Sequence, residues 1–415
     1  MAASQLKQQL IQQLIQSRTA TLSLFEGIDP PTFCRQAHPE FSPVGWHLGH
    51  IGFIEAYWLL ERSAKLPPFM PAYRRLFAAD GLPKAERQQL PTFAETCDYL
   101  QSIRAQVLCY LEAAPLDEQA WLWYWLIQHE AQHNETITWV LQLQSQRLSW
   151  TGQFRLQPLF GSGVQTNCVQ TEMLQVAAGH FTQGNEGIHA LDNEKPLQQV
   201  YLETYWIDRY PVTCRQYQAF MEAGGYSNSR WWSQAGWTWL QSNPVSQPLY
   251  WDPAQAGDHP VCGVSWYEAD AYARFVGKRL PLEAEWEKAA SWQPATAKQQ
   301  TYPWGETEPT AKQCNHSHNR GQTTPVNHYP AGQSSYGCYD MLGNVWEWTA
   351  TPFHPYPGFI SYPYAGYSTP YFDNQHYVLK GGSWATRAAV LRCAFRNWYH
   401  PGVRQLLAGF RCAHS

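Results

Sequence analysis

Paired cysteines are missing from this 415-residue chain. Its ten cysteines are scattered and none forms a Cys-x-x-Cys pair, so neither a zinc ribbon nor a disulfide scaffold is indicated. The expectation is a cytoplasmic protein with reduced thiols. Basic tails and lysine runs are also missing, and the formal net charge is −4, which argues against nucleic acid as a partner. No apolar run approaches the roughly 18–20 residues of a membrane span, so no membrane is expected either. The glutamine-rich, amphipathic stretch Met1 to Gln16 does not read as a signal peptide. What the chain does have is aromatic residues, with 21 Trp and 24 Tyr. They suit an aromatic-lined interior and, at a site, recognition of a cationic ligand.

The most informative stretch is Gln128-His129-Glu130-Ala131-Gln132-His133-Asn134-Glu135-Thr136. Histidines four apart on a helix share a face, with Cβ atoms about 5–6 Å apart, so both rings can reach one metal ion. No Pro or Gly interrupts Leu116 to Trp150, and Asp117 is placed to cap the helix. Leu122, Trp125, Leu126, Ile137, Val140 and Leu141 follow helical spacing and turn the histidine face inward. Glu135, two residues past His133, points roughly 200° away and is a poor ligand to the same ion. His129-Glu130-Ala131-Gln132-His133 also matches the zinc-protease pattern His-Glu-x-x-His. The continuation of that pattern fails, because Thr136 and Trp139 stand where Gly and a third His are needed. Taken alone, the pair is equally compatible with two structural histidines.

Upstream, residues 4–18 and 21–26 read as helical, ending before Asp29-Pro30-Pro31. A second helix runs from Pro43 to about Arg62 and carries His47 and His50, either of which is a candidate third ligand. Residues 64–91 read as a Pro- and Gly-rich loop bearing Arg74, Arg75, Lys84 and Arg87, a cation cluster suited to a carboxylate or simply to solvent. A third helix spans Phe93 to Ala113. Four helices with one long crossover make a bundle, where metal sites form from inward side chains. The expected organisation is a bundle over 1–150, a linker over 151–170, and an irregular α+β domain over 171–415.

The second domain carries a series of motifs in order, among them Val264-Ser265-Trp266, Tyr302-Pro303-Trp304-Gly305, Gly343-Asn344-Val345-Trp346-Glu347-Trp348-Thr349, Lys380-Gly381-Gly382-Ser383 and Gly409-Phe410-Arg411-Cys412. The series resembles the formylglycine-generating-enzyme, or sulfatase-modifying-factor, fold, which is C-type-lectin-like. The first domain resembles the DinB-type bundle. Together with Gly49-His50-Ile51 and the His-x3-His helix, the whole chain resembles the EgtB-type non-haem iron sulfoxide synthases of ergothioneine biosynthesis. The overall class expected is therefore α+β.

That resemblance implies Fe(II) held by His50, His129 and His133, with His47 as a neighbour. It implies Gln132 as a contact to Nα-trimethylhistidine (hercynine), and Lys84 and Arg87 as contacts to the carboxylates of a thiol substrate. It places Tyr364 and Tyr367 in the site, the first as proton donor with Tyr362 as a further candidate, and adds the segment Arg396-Asn397-Trp398. The implied substrates are hercynine, O2 and either cysteine or γ-glutamylcysteine. Two departures favour cysteine. Tyr399 stands where the γ-glutamylcysteine branch has Asp, and Lys84 where it has Arg, which loses a bidentate fork. Formylglycine-generating activity is not expected, because Thr386 and Leu391 stand at that enzyme's two cysteine positions. The chain to Ser415 carries no methyltransferase of the kind often fused to ovothiol-type synthases. A selenium donor, histidine as acceptor, and a non-catalytic ligand-binding module remain as alternatives.

Overall fold

The first helix, α1 (Ala2–Ser23), runs unbroken through the junction at which the sequence suggests two segments. No breaker occurs there, and the inward side chains of Arg18 and Thr21 are both held by partners on other helices. The computed structural model describes residues 2–147, 172–252 and 257–415, so the expected linker lies outside the described residues. The chain divides into two compact units, Met1–Arg155 and Leu156–Ser415.

In the first unit the first helix ends before Asp29-Pro30-Pro31, as expected, and the two prolines also open a new one. α2 (Pro30–Cys34) begins after Asp29, whose carboxylate caps the Thr32 amide at 2.8 Å, and proline is tolerated where no intrahelical donor is needed. α3 (Val44–Glu55) is buried along its whole length and continues as a π-helical segment over Ala56–Ser63. Three glycines make that burial possible. A Cβ at Gly45, Gly49 or Gly52 would lie within 2.6 Å of Phe33, Phe77 or Leu100 respectively. The stretch read as a loop contains a short helix, α4 (Arg74–Phe77). α5 (Phe93–Leu111) starts on a reciprocal Thr92–Glu95 capping box. α6 (Leu116–Arg147) starts one residue before Asp117, which therefore sits in the first turn, favourable to the helix dipole, and does not cap it.

One buried charge network joins the four long helices. Arg18 of α1 donates to Glu130 of α6 and to Glu55 of α3, each at 2.8 Å. Arg104 of α5 donates to Glu55 at 2.6 and 3.0 Å and to Glu130 at 3.3 Å. Thr21 adds a hydroxyl to Glu130 at 2.6 Å. Burial alone would raise the Glu130 carboxyl, but Arg18 and Arg104 bring it below its ordinary value. Burial likewise opposes the Arg104 charge, and Glu55 and Glu130 more than offset it.

The second unit is built from short strands and short helices. β1 (Met173–Val176), β4 (Tyr205–Asp208) and β11 (Ala413–His414) form one sheet, while β2 (Gly179–Gln183) pairs with β3 (Gln198–Leu202). Four helices follow: α7 (Cys214–Glu222), α8 (Gln234–Ser242), α9 (Trp266–Phe275) and α10 (Glu283–Ser291). β5 (Trp292–Gln293) and β6 (Lys298–Gln299) make a small ladder. A four-stranded sheet in the order β10-β7-β8-β9 uses β7 (Trp346–Pro352), β8 (Tyr377–Lys380), β9 (Asn397–Tyr399) and β10 (Ala408–Gly409). The expected α+β class is observed. Its core packs Trp286 of α10 with Tyr205, Ile207, Met341 and Leu342.

Removing one member of the bundle network leaves an uncompensated buried charge. Arg104→Met is expected to lower the unfolding free energy of the bundle by about 3–5 kcal/mol. Arg74→Ala, which breaks a long 3.9 Å pair with Glu61 whose arginine is exposed to solvent, is expected to cost about 0–1 kcal/mol. Urea denaturation followed by circular dichroism distinguishes the two, and similar losses would contradict this account of the network.

Candidate metal centre

His50 on α3 and His129 and His133 on α6 place three ring nitrogens within 4.8 Å of one another. Ring centroids lie 4.5 Å apart for His129–His133, 4.9 Å for His50–His133 and 5.2 Å for His50–His129. The nitrogens face inward head to head, with His129 Nε2 and His133 Nε2 at 3.2 Å. Glu135 is buried but stands outside this cluster, as its helical phase predicts. Glu130, the general base of the protease pattern, faces Arg18, Thr21 and Arg104 instead. Its oxygens are occupied by cationic and hydroxyl donors, so the protease reading has no base.

The surroundings fix each ring. The nitrogen Nδ1 of His50 lies 2.6 Å from the Phe77 carbonyl oxygen. A carbonyl only accepts, so Nδ1 carries the proton and Nε2 keeps its lone pair. His133 Nδ1 meets His47 Nδ1 at 2.9 Å. His47 is therefore a partner of a ligand ring, on the far side from the cluster. Trp46 stacks on His50 at 4.5 Å, and Trp125 stacks on His129 at 5.2 Å. Gly49 allows the Phe77 ring to lie against α3, which brings the Phe77 carbonyl to His50. Phe77 escapes the sequence reading, as does the close approach at Gly49. The spacing of Gly45, Gly49 and Gly52 is the signal that marks a close approach there.

Electrostatics keep the rings neutral. Burial brings His50 down to about 4, with Arg87 adding to the effect, and brings His47 down to about 3. His129 and His133 are lowered well below the ordinary histidine value, first by burial and then by neighbouring rings: His50 and His47 act on both, and His129 acts on His133. Three neutral imidazoles with no thiolate or carboxylate suit a divalent first-row transition ion, and hard oxygen-seeking cations do not fit such a set.

The other expected site residues fall into two groups. In the bundle, Gln132 is half-buried beside His133 and donates to the Gln128 carbonyl at 3.3 Å. Lys84 donates to the Glu40 carbonyl at 2.7 Å, with burial lowering its ammonium. Arg87 is largely internal. It donates to the Leu82 and Ala79 carbonyls at 2.8 and 2.6 Å and to Ser42 Oγ at 2.9 Å, and lies 4.0 Å over Trp46. In the second unit, Tyr364 is 38% exposed, whereas Tyr367 is buried and packs edge-to-face with Trp398, ring centroids 6.1 Å apart. Tyr362 donates its hydroxyl to the Ala190 carbonyl. Trp398 stacks on Phe353 at 4.3 Å, and Asn397 accepts from the Trp398 amide at 2.9 Å. Arg396 has an interior role. It pairs with Glu283 at 2.7 and 3.1 Å and donates to the Asn193 and His354 carbonyls. Four of its five N–H groups are thereby engaged, so it braces its segment and is not positioned as a ligand contact.

Three outcomes follow. His129→Ala and His133→Ala are expected to abolish metal binding in a folded protein, read by metal analysis after dialysis. His47→Ala and Gly49→Ala, which loosen His133 and His50, are expected to weaken affinity about 10–100-fold. The buried rings also set an acid response. Unfolded histidine protonates near 6.5, while folded His50 resists until about 4. Across that window only the unfolded chain gains the proton, so stability of the metal-free bundle is expected to fall as pH drops from 6.5 to 4. A flat pH profile would count against buried neutral rings.

Comparison with known proteins places both units. Residues 162–415 match the sulfatase-modifying factor enzyme 1-like domain, and residues 13–137 match the DinB superfamily. Hercynine oxygenase of Mycolicibacterium thermoresistibile is 38% identical over 98% of this chain and 94% of that protein. Hercynine oxygenase of Mycobacterium tuberculosis is 38% identical over 98% of each. A formylglycine-generating enzyme of Thermomonospora curvata is 36% identical but covers 43% of this chain and 70% of its own length. With both domains in the same order and similarity along nearly the whole length, the chain belongs to the hercynine oxygenase family of oxygen-dependent oxidoreductases.

Proposed function

We propose that this protein joins the sulfur of cysteine to C2 of the imidazole of hercynine and oxygenates that sulfur, forming a sulfoxide on the route to ergothioneine. The observation that carries this reading is the cluster of three neutral imidazoles from α3 and α6, two of them buried and the third, His133, half-buried. The ion proposed is Fe(II), held by His50, His129 and His133. When bound, it would supply O2 activation and a site for the thiolate.

The chain's own residues do the rest. His47 and the Phe77 carbonyl hold two ligand rings in orientation. Gln132, on the histidine-bearing helix beside His133, is the proposed polar contact to hercynine, and aromatic faces suit its trimethylammonium group. Lys84 is the proposed contact to the carboxylate of the thiol substrate, since its ammonium has three donors and one identified acceptor. Arg87 retains two N–H groups beyond its internal bonds and is the second candidate for that carboxylate. Asn397 and Trp398 are proposed to contact substrate, with Arg396 holding them in place. Tyr364 is the proposed proton donor, because Tyr362 has given its hydroxyl to Ala190 and Tyr367 is buried. A phenol with an ordinary pKa near 10 stays protonated at neutral pH. The reducing cytoplasm is the proposed compartment for an enzyme that consumes a free thiol.

Two experiments test this. Protein loaded anaerobically with Fe(II) and given O2, hercynine and either thiol is expected to show a higher kcat/KM for cysteine than for γ-glutamylcysteine, by mass spectrometry. A tenfold preference for γ-glutamylcysteine, about 1.4 kcal/mol, would reject cysteine as donor. Tyr364→Phe is expected to keep iron and both substrates bound while shifting product from sulfoxide toward the sulfinic acid of the thiol. An unchanged product ratio and rate would remove Tyr364 from the mechanism and turn the assay to Tyr367→Phe.

A further inference from the structure

Among the described residues, one other group brings metal-ligating atoms together, and it lies in the second unit. Asp373, His376 and His400 place a carboxylate oxygen and two imidazole nitrogens within 4.8 Å of one another. This trio is independent of the reading of the three-histidine centre.

Two local devices build it. The first is a tight turn. Asn374 adopts φ +60°, a left-handed conformation that asparagine tolerates. Asp373 Oδ1 accepts from the Gln375 amide at 2.8 Å and the His376 amide at 3.2 Å. The same carboxylate is thereby aimed at the His376 ring, whose Nδ1 lies 3.0 Å from both oxygens. The second device is strand register. Tyr377 of β8 pairs with Tyr399 of β9. The next residues outward on these antiparallel strands, His376 and His400, therefore face one another. Their ring centroids are 3.9 Å apart.

An aspartate–histidine ion pair accounts for the first two residues and leaves the third unexplained. His400 sets a second imidazole directly against the first, with one carboxylate beside them. The side chains of Asp373 and His376 are 28% and 10% exposed, which leaves a route for the ion and for water to complete its coordination. The three-histidine centre meets the same limit, its ligand atoms also lying within 4.8 Å of one another.

We propose that Asp373, His376 and His400 form a second metal site, for a divalent first-row transition ion of the zinc class. Two imidazoles and one carboxylate favour such an ion over calcium or magnesium, which take oxygen-only sets. The ion ties the 373–376 turn to the residue that follows β9. Tyr371 contacts both His376, at 5.3 Å, and Trp398, at 5.5 Å, so loading stiffens the aromatic wall around Trp398.

The test uses the full chain, stripped by chelation and titrated with Co(II), with stoichiometry read by metal analysis and ligand type by visible absorption. Wild type is expected to bind two ions and His129→Ala to retain one. In the His129→Ala background, His400→Gln and His376→Gln are each expected to weaken the remaining ion at least tenfold. His400→Asp, which keeps a ligand atom, is expected to preserve it better than His400→Gln. The proposal is overturned if wild type binds a single ion that His129→Ala removes. It is equally overturned if neither His376→Gln nor His400→Gln affects the second ion, or if that ion shows thiolate charge-transfer absorption. A His129→Ala protein that fails to fold leaves the wild-type count and the two single variants to decide, since each should lose one ion of two.

Discussion

Four charges in the interior of the bundle govern the geometry of everything around them. Arg18, Glu55, Arg104 and Glu130 come one from each long helix and sum to zero. Each carboxylate is shared between both guanidinium groups. Such a network contributes little net stability relative to a well-packed apolar core, because dehydrating the charges offsets their attraction. Its effect is on register. Glu55 lies in α3, which carries His50, and Glu130 directly follows His129 on α6. A slip of α3 along α6 by one helical turn, about 5.4 Å, would strand two buried carboxylates and draw His50 away from the other two rings. The charges thus specify the alignment that the histidines require.

The second unit uses the same device where regular structure is scarce. Its strands are two to seven residues long, too short for ladders alone to set the packing. Buried pairs join segments far apart in sequence instead: Arg411 with Glu347, Lys380 with Glu287, Arg392 with Glu194, and Arg396 with Glu283. The first runs from the Gly409-Phe410-Arg411-Cys412 motif to the Gly343–Thr349 motif, and Glu347 also accepts from the Trp286 indole at 2.8 Å. Several residues that stand out in the sequence are therefore prominent because they hold an irregular fold together.

This explains what was legible beforehand. Helical periodicity carried His129 and His133 to one face, and the absence of breakers gave α6 its length. Two histidines near the start of α3 were readable as candidates, but only the Phe77 carbonyl at His50 and the His47–His133 contact separate ligand from neighbour. Neither contact has a sequence signature, since one involves a backbone atom 27 residues away and the other a residue 86 away. The prolines at 30 and 31 rightly marked the end of the first helix but hid the start of α2, because a proline stops a helix in its interior and starts one at its first turn. Arg396 showed the limit of motif reading, as a guanidinium beside Asn-Trp looks the same in sequence whether it meets a substrate or Glu283. The trio at Asp373 was invisible because strand register, not spacing, brings residues 376 and 400 together.

The indole of Trp46 lies between the Arg87 guanidinium on one side and the His50 ring on the other, and that of Trp125 is stacked on His129. Each therefore has an emitting chromophore's π-face in van der Waals reach of a ligand ring, while the chain holds 21 tryptophans in all. A paramagnetic ion bound to those imidazoles offers the two excited indoles a short path for electron or energy transfer. The centre is thus wired to its own optical readout: filling it darkens the emission of the two indoles stacked on its rings.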